Sequence, residues 1–311
     1  MKRINCCIFF FFLIFNITQS LYGKELEKKN YRYQVSICAI FRDEAPYIKE
    51  WLEFHKLVGI EHFYLINHFS SDDYLSILQP YIDSGEVELF QCTDDRFDAY
   101  SFMYCIQPDE YSKIIEYSKE ETKWLAIIDS DEFLFPVSCD SLQGFLKDYE
   151  SYGGVYVFWQ MFGTSLVPKV PSNRLQIEMF VFQSDKNYYF NKWGKSIVRP
   201  DRVEKAHLHF CKYKAPYVHV FPDESLIPEF DVIMNNDTKI IPEFQVDVSK
   251  IRINHYWTRD EDYSRRIKHP RYLEWGLEKE YFNRLDALSK QPNYIIFKYL
   301  DRLREKMFPS D

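Results

Sequence analysis

The sequence predicts an α/β protein with one open, mostly parallel sheet flanked by helices and extended by antiparallel strands. Three observations lead there. Between residues 35 and 128, short apolar runs alternate with segments whose apolar residues recur at helical spacing, the pattern of parallel βαβ pairing. Beyond residue 150 the apolar runs follow one another without long helices, which suits antiparallel additions to the same sheet. No internal repeat, low-complexity tract or Pro/Gly-rich linker separates the halves, so a single domain over residues 31–311 is expected.

Residues 35–41 read as the first buried strand. A helix over 46–58 carries Ile48, Trp51, Leu52, His55 and Val58 at helical spacing, and Gly59 closes it. Residues 62–66 form the second strand. Ser71 or Asp72 can cap a helix bearing Leu75, Leu78, Tyr81 and Ile82, ended by Gly85. The third strand is 87–91; Pro108 opens a helix with Tyr111, Ile114 and Ile115; the fourth strand is 124–128. Segments 155–160, 175–183, 188–199 and 206–213 then read as strands. Helical pattern returns near Arg259, and 294–307 reads as a closing helix.

Composition bounds the function. The chain is 46% hydrophobic and 28% charged, ordinary for a protein with a real core. Its 27 Phe and 24 Tyr suit both a thick core and carbohydrate-facing rings. A net charge of −8 argues against nucleic acid as a partner, because a phosphate backbone demands a basic face.

Lys2 and Arg3 precede an apolar run over 6–15 and then Asn16-Ile17-Thr18-Gln19-Ser20. Residues 1–23 are therefore expected to be a signal peptide, cut after Ser20 or Gly23, or a short retained anchor. Either outcome places the chain in a secretory pathway or a bacterial envelope, with membrane association through the N-terminus in the second case. Cys38, Cys92, Cys105, Cys139 and Cys211 remain after that segment, without C-x-x-C spacing, which argues against zinc. An exported chain would allow one or two disulfides, and Asn236-Asp237-Thr238 fits a glycosylation sequon.

The chemistry concentrates at Asp129-Ser130-Asp131-Glu132-Phe133, directly after the fourth strand. Carboxylates beside a buried strand are costly unless a cation meets them. Side chains two apart on an extended chain point the same way, so Asp129 and Asp131 can share one ion, and oxygen ligands suit Mg²⁺ or Mn²⁺ carrying a phosphate. The plainer alternative is helix capping. Arg42-Asp43-Glu44 and Asn67 to Asp72 follow the first two strands and reach the same sheet edge, where ligands of open α/β sheets gather. Asp43 or Asn67 could bond a base or ribose, and Arg42 could face a phosphate.

Further along, Lys195 and Arg199 could pair with a diphosphate, against the alternative of a solvated strand face. His207-x-His209, with His219 nearby, resembles a metal pair, but structural or acceptor-site roles fit it better. The basic run Arg265-Arg266-x-Lys268-His269-x-Arg271 could hold phosphates or form a solvated helix face. Trp159, Phe162 and Trp193 could stack on a sugar or serve the core.

Ile37-Cys38-Ala39-Ile40-Phe41-Arg42-Asp43-Glu44, followed by Tyr47-Ile48-Lys49-Glu50-Trp51-Leu52-Glu53-Phe54-His55, resembles the opening of GT-A glycosyltransferases of family 92 and related family 2 type. In order there follow Gly59; Ser70-x-Asp72; Gln107 and Tyr111; Trp124 with Asp129-x-Asp131-Glu132-Phe133; and Trp159-x-x-Phe162-Gly163. Ile177-Glu178-x-Phe180, Lys195-Ser196-Ile197-Val198-x-Pro200 and Ile253-Asn254-His255-Tyr256 complete the series. The matches run from about residue 35 to 268. There are departures: Asp43 stands for the usual Asn, Asn67-His68 for Asp-Asn, Met179 for an Arg, and Asp260 for a Ser.

The resemblance implies a GT-A-like domain that moves a hexose from a nucleotide-sugar, expected to be a UDP-sugar, onto a glycan hydroxyl with inversion. It implies Asp131 as a Mn²⁺ or Mg²⁺ ligand, Asp129 as a contact to that metal or to the ribose, and His255 as a third ligand or diphosphate contact. Arg42, Asp43, Glu44, Asn67, Asp72, Asp129 and Lys195 would line the donor. An inverting reaction needs a base; Glu178 is the first expectation and Glu132 the second. Two other classes stay open: a phosphohydrolase using the acid pair, and a glycan-binding relative without catalysis.

Overall fold

The computed structural model describes residues 29–227, 245–276 and 280–309. The signal-or-anchor segment and the Asn236 sequon lie outside the described residues. Tyr33–Asp311 forms one compact unit.

The expected parallel half is present. β1 (Tyr33–Phe41), β2 (His62–Asn67), β3 (Val87–Gln91) and β4 (Thr122–Ile127) run in the same direction, in the order β3-β2-β1-β4. α1 (Ala45–Leu57) and α2 (Tyr74–Asp83) connect the first three. Trp51, Leu52 and Phe54 of α1 are buried against Phe63, Phe133 and Phe135 in one core that spans the sheet. At ~25 cal/mol per Å² of apolar surface, each such aromatic stabilises the fold by roughly 2–3 kcal/mol. The third connection differs from expectation. Helix begins at Ala99, passes through a π-helical stretch at Phe102–Ile106 and continues as α3 (Gln107–Ser118), so Pro108 lies within helical backbone instead of opening it.

Beyond β4 the sheet continues, in this order, through residues 194–198, 154–161, 251–255 and 132–136. β8 (Gly194–Val198) runs antiparallel to both β4 and β6 (Gly154–Met161). β12 (Ile251–His255) is parallel to β6 and antiparallel to β5 (Glu132–Pro136). The sheet is therefore mostly parallel, with β5 and β8 reversed.

Three expected strands need correction. Segment 175–183 holds a helical turn, Gln176–Met179, before the short β7 (Phe182–Ser184). Glu50 of α1 produces that turn by accepting the N–H groups of Gln176 and Ile177 at 2.8 and 3.1 Å. Segment 188–199 is a 3₁₀ turn, Tyr189–Lys192, and then β8. Segment 206–213 is a small hairpin of β9 (Val203–Ala206) and β10 (Cys211–Tyr213), with His207–Phe210 as its loop. The remaining strands, β11 (His219–Val220) and β13 (Ser289–Pro292), pair with β6 and β7. The closing helix is shorter than expected: a 3₁₀ turn at Ile295–Tyr299 and then α4 (Leu300–Met307). All five cysteines among the described residues are free, and no described helix is long and apolar enough to cross a membrane.

Candidate active site

Because β1, β2 and β4 are parallel, the three polar loops foreseen at their C-terminal ends do open on one edge. Asp43 takes a left-handed backbone (φ 56°), a conformation Asp tolerates better than most residues. Its N–H donates to Ser70 Oγ at 3.0 Å, and its Oδ1 accepts the Ser71 N–H at 2.8 Å, which stitches the first loop to the second. Asp72 Oδ2 accepts the Ala45 N–H at 2.7 Å at the start of α1, and the main-chain N–H of Tyr74, which opens α2, also acts on this carboxylate. Asn67 bonds Tyr74, Gln91 and the Ser70 N–H. Asn67 and Asp72 thus tie the loops of this edge together.

Arg42 keeps an outward role. Its guanidinium lies 4.2 Å from the Phe97 ring centre, and burial followed by nearby Arg271 holds its pKa below the ordinary value. Arg271 also sits 3.7 Å from Asp43. Phe97 and Phe69 stack edge to face and are exposed, with His68 against both. This corner offers rings and two guanidiniums together.

Glu44 turns inward. It accepts from Arg259 at 2.6 Å and from the Tyr263 hydroxyl at 3.1 Å, all three side chains being buried. Arg259, itself at φ 58°, also donates to Gln176 Oε1 and, at 2.9 Å, to the Ser130 carbonyl. Its guanidinium covers the Tyr47 ring at 4.4 Å. One buried cation therefore fixes the β1 loop, the acidic turn and the 176–179 turn. Sequence reading missed Arg259; the only signal was its place four residues after His255.

The acidic turn lies between β4 and β5. Asp131 is buried; Lys268 Nζ donates to its Oδ2 at 2.6 Å and His255 Nε2 lies 3.3 Å from its Oδ1. Burial alone would raise this carboxyl, but Lys268 and then His255 hold it well below the usual carboxylate range. Asp129, with its side chain 28% exposed, pairs with Lys195 Nζ at 2.9 Å. The Tyr111 hydroxyl, at 3.3 Å, and Gln107 Nε2, at 3.5 Å, also point at Asp129 Oδ1. The Gln107 and Tyr111 of the family-like pattern therefore serve the acid pair. Lys195 is 1% exposed; burial works against its charge, but Asp129 and Glu132 raise its pKa above the ordinary value.

The two expected bases stand elsewhere. Glu132 is fully buried, accepts the Asp129 N–H at 3.0 Å and has its pKa raised well above the ordinary value, chiefly by burial. Glu178 accepts the Leu175 N–H at 3.0 Å and is clamped by Arg304 at 2.9 Å and Arg174 at 3.0 Å. Its oxygens are thus paired with the local main chain and two arginines.

A divalent ion was expected on Asp129, Asp131 and His255. Among the described residues, no group of three or more His, Cys, Asp or Glu side chains is arranged to hold a metal, so the three donors do not converge as foreseen. Asp131 Oδ1 and His255 Nε2 do meet, and His255 Nδ1 is buried without a hydrogen-bond partner. Of these two donors the Asp131 carboxylate is the one whose chemistry suits Mn²⁺ or Mg²⁺, which commonly complete their shells with water and substrate phosphate.

Beside the acid pair, Trp159 lies 4.5 Å from His255 and 5.3 Å from His209, and Trp193 lies 4.6 Å from His209, centre to centre. Phe162 is core, fully buried against Tyr256. Arg199 packs over Trp124, away from the acid pair, with Glu150 and Asp201 as its ionic neighbours.

A family model described as Glycosyltransferase family 92 matches residues 31–304. Glycosyltransferase family 92 protein At1g27200 of Arabidopsis thaliana is 23% identical over 198 residues, 60% of this chain and 32% of that one. A family 92 protein of Ricinus communis, RCOM_0530710, is 22% identical over 234 residues, 70% of this chain and 37% of the other. Galactan beta-1,4-galactosyltransferase GALS3 of Arabidopsis thaliana is 25% identical over 137 residues, 42% and 27% of the two chains. This chain spans about a third of the length of these relatives. Among solved structures, S. aureus TarS 1-349 in complex with UDP overlaps 54% of this chain and 47% of its own, at 13% identity and a TM-score of 0.35.

Proposed function

The chain belongs to glycosyltransferase family 92, and we propose that it transfers a hexose from a nucleotide-sugar, a UDP-sugar first among candidates, to a glycan hydroxyl with inversion. The observation that carries the reading is the acid pair at the C-terminal edge of β4, with two buried lysines on it and the Arg42–Phe97–Arg271 corner on the same edge. Arg42 and Arg271 would hold phosphate, and the exposed rings of Phe69 and Phe97 would face the base. Asp43, already fixed between the loops, would present its carboxylate to the ribose.

Asp131 and His255, joined by Asp129, would hold Mn²⁺ or Mg²⁺. Bound there, the ion would supply positive charge to the leaving diphosphate. Lys195 and Lys268 lie on the two carboxylates at 2.9 and 2.6 Å, close enough to turn to a phosphate oxygen when a donor arrives. Such preorganised cations in a site shielded from water are worth far more than in bulk solvent.

The test is a screen of UDP- and GDP-sugars for hydrolysis in the presence of Mn²⁺, which reports the donor without a known acceptor. Release of nucleoside diphosphate from at least one sugar is expected. Turnover of a phosphomonoester, with every nucleotide-sugar left intact, would move the assignment to a phosphohydrolase.

A further inference from the structure

With Glu178 paired to two arginines and Glu132 buried, neither of the two expected carboxylates stands free to take the acceptor proton. The β9–β10 hairpin loop supplies a group with the right geometry. Ser196 Oγ donates to the His209 carbonyl at 2.7 Å, and Lys195 Nζ reaches the Leu208 carbonyl at 3.5 Å. The loop is thereby fastened to the stretch of β8 that carries the lysine on Asp129. Gly194 lets the strands close here, because a Cβ at that position would collide with the Val157 carbonyl.

His209 Nδ1 lies 2.8 Å from the Gly194 carbonyl oxygen. A carbonyl only accepts, so Nδ1 carries the proton and Nε2 presents its lone pair. Nε2 makes no hydrogen bond among the described residues, and the side chain is half-buried, not sealed. The ring stands between Trp193 and Trp159, and Trp159 in turn contacts His255 of the acid cluster. A tautomer fixed by the main chain, a free lone pair and the half-buried indole of Trp193 meet at one place, next to the buried Trp159 that leads to His255.

We propose that His209 Nε2 is the general base of the transfer, taking the proton of the acceptor hydroxyl held against Trp193. The proposal rests on the nucleotide-sugar reading. In the step, the acceptor oxygen forms a bond to the anomeric carbon as the bond from that carbon to the diphosphate oxygen breaks. The acceptor proton passes to Nε2, and the electron pair leaves with the nucleoside diphosphate. Burial first, and then Lys195, with His207 of the same loop and His255 of β12 adding to it, keeps the free imidazole well below its ordinary pKa, so it stays unprotonated through neutral pH.

The test uses the full chain with Mn²⁺ and the nucleotide-sugar that the wild type hydrolyses, comparing water with azide as nucleophile. Azide has no proton to lose. For His209→Ala, hydrolysis is expected to fall by about 100-fold or more, within the usual range for a lost general base, while glycosyl azide forms at near the wild-type rate and UDP binds as before. His209→Asn, whose amide can still donate to the Gly194 carbonyl, should behave alike, which covers any misfolding of the alanine variant. Hydrolysis within twofold of wild type, or equal loss of both reactions in a folded variant, would overturn the role of His209 and leave the transferase reading intact. A wild type that uses no nucleotide-sugar with either nucleophile would overturn both.

Discussion

The rim around β1 and β2 and the mouth between β4, β8 and β12 lie on one sheet edge, yet their carboxylates are held in different ways. At the rim, main-chain N–H groups do most of the holding: Ser71 on Asp43, Ala45 on Asp72, and Tyr263 on Asp260. Beside it, Glu50 and Glu178 likewise accept from the backbone of the 175–179 turn. Glu44 is the exception, and its partners Arg259 and Tyr263 are themselves fixed by burial. At the mouth, among the described residues, the carboxylates of Asp129 and Asp131 accept from side chains, chiefly two lysines. A main-chain donor cannot leave without unfolding its turn, whereas an ammonium on a flexible stem can be exchanged for a ligand. The rim is framework; the mouth is where chemistry can enter.

The rim should fail first in stability. Arg259→Met strands the Glu44 carboxylate in the interior, and loss of one partner of a buried pair typically costs about 3–5 kcal/mol. Denaturant unfolding should show a shift of that size; a change below ~1 kcal/mol would mean that the hub does not hold the rim. The mouth should fail first in function. Asp129→Asn leaves the buried Lys195 with an amide in place of its first carboxylate and Glu132 still beside it, so the unfolding midpoint should drop, but by less than in Arg259→Met. Nucleotide-sugar turnover should nevertheless fall by about 100-fold, the scale on which single preorganised groups act.

Acidity separates the regions again. Burial lifts Glu50 from 4.5 to about 7 despite its two N–H partners. Between those values the folded chain binds more protons than the unfolded one, so stability should fall as pH rises from about 4.5 through about 7. Glu50→Gln should flatten that slope in unfolding measured across the range. An unchanged slope would remove Glu50 as its source. Asp131 acts in the opposite sense: its depressed pKa gives stability that is present at neutral pH and lost on acidification.

Glu178 gives the smallest expected effect. With Arg174 and Arg304 both partly exposed, Glu178→Gln should cost about 1 kcal/mol or less in unfolding and leave turnover near that of wild type. Collapse of turnover in a stably folded Glu178→Gln chain would restore it as base and count against His209.

The parallel half was legible because consecutive buried residues and helical spacing are local signals. Val35 and Ile37 to Phe41 announce β1, and Trp51, Leu52 and Phe54 announce α1, without reference to anything distant. The second half was not, because distant partners decide its backbone. Residues 176–179 turn into a helix through Glu50, some 126 positions away, although the local run reads as strand. The acid pair was readable from its strand and spacing, and His255 from its place after β12. Lys268 could be seen only as one member of a basic run, and Arg259 not at all, since their importance lies in contacts 137 and 129 residues distant. Glu178 shows the same limit: spacing shows that a carboxylate exists, not that two arginines pair with it.

Calorimetry of UDP binding to the wild-type chain, with Mn²⁺ and then with EDTA, bears most directly on the mouth as the donor site. Binding should be strong with the ion, weaken sharply with the chelator, and weaken likewise in Asp131→Ala. Equal affinity in all three conditions would show that these carboxylates hold no ion and face no diphosphate.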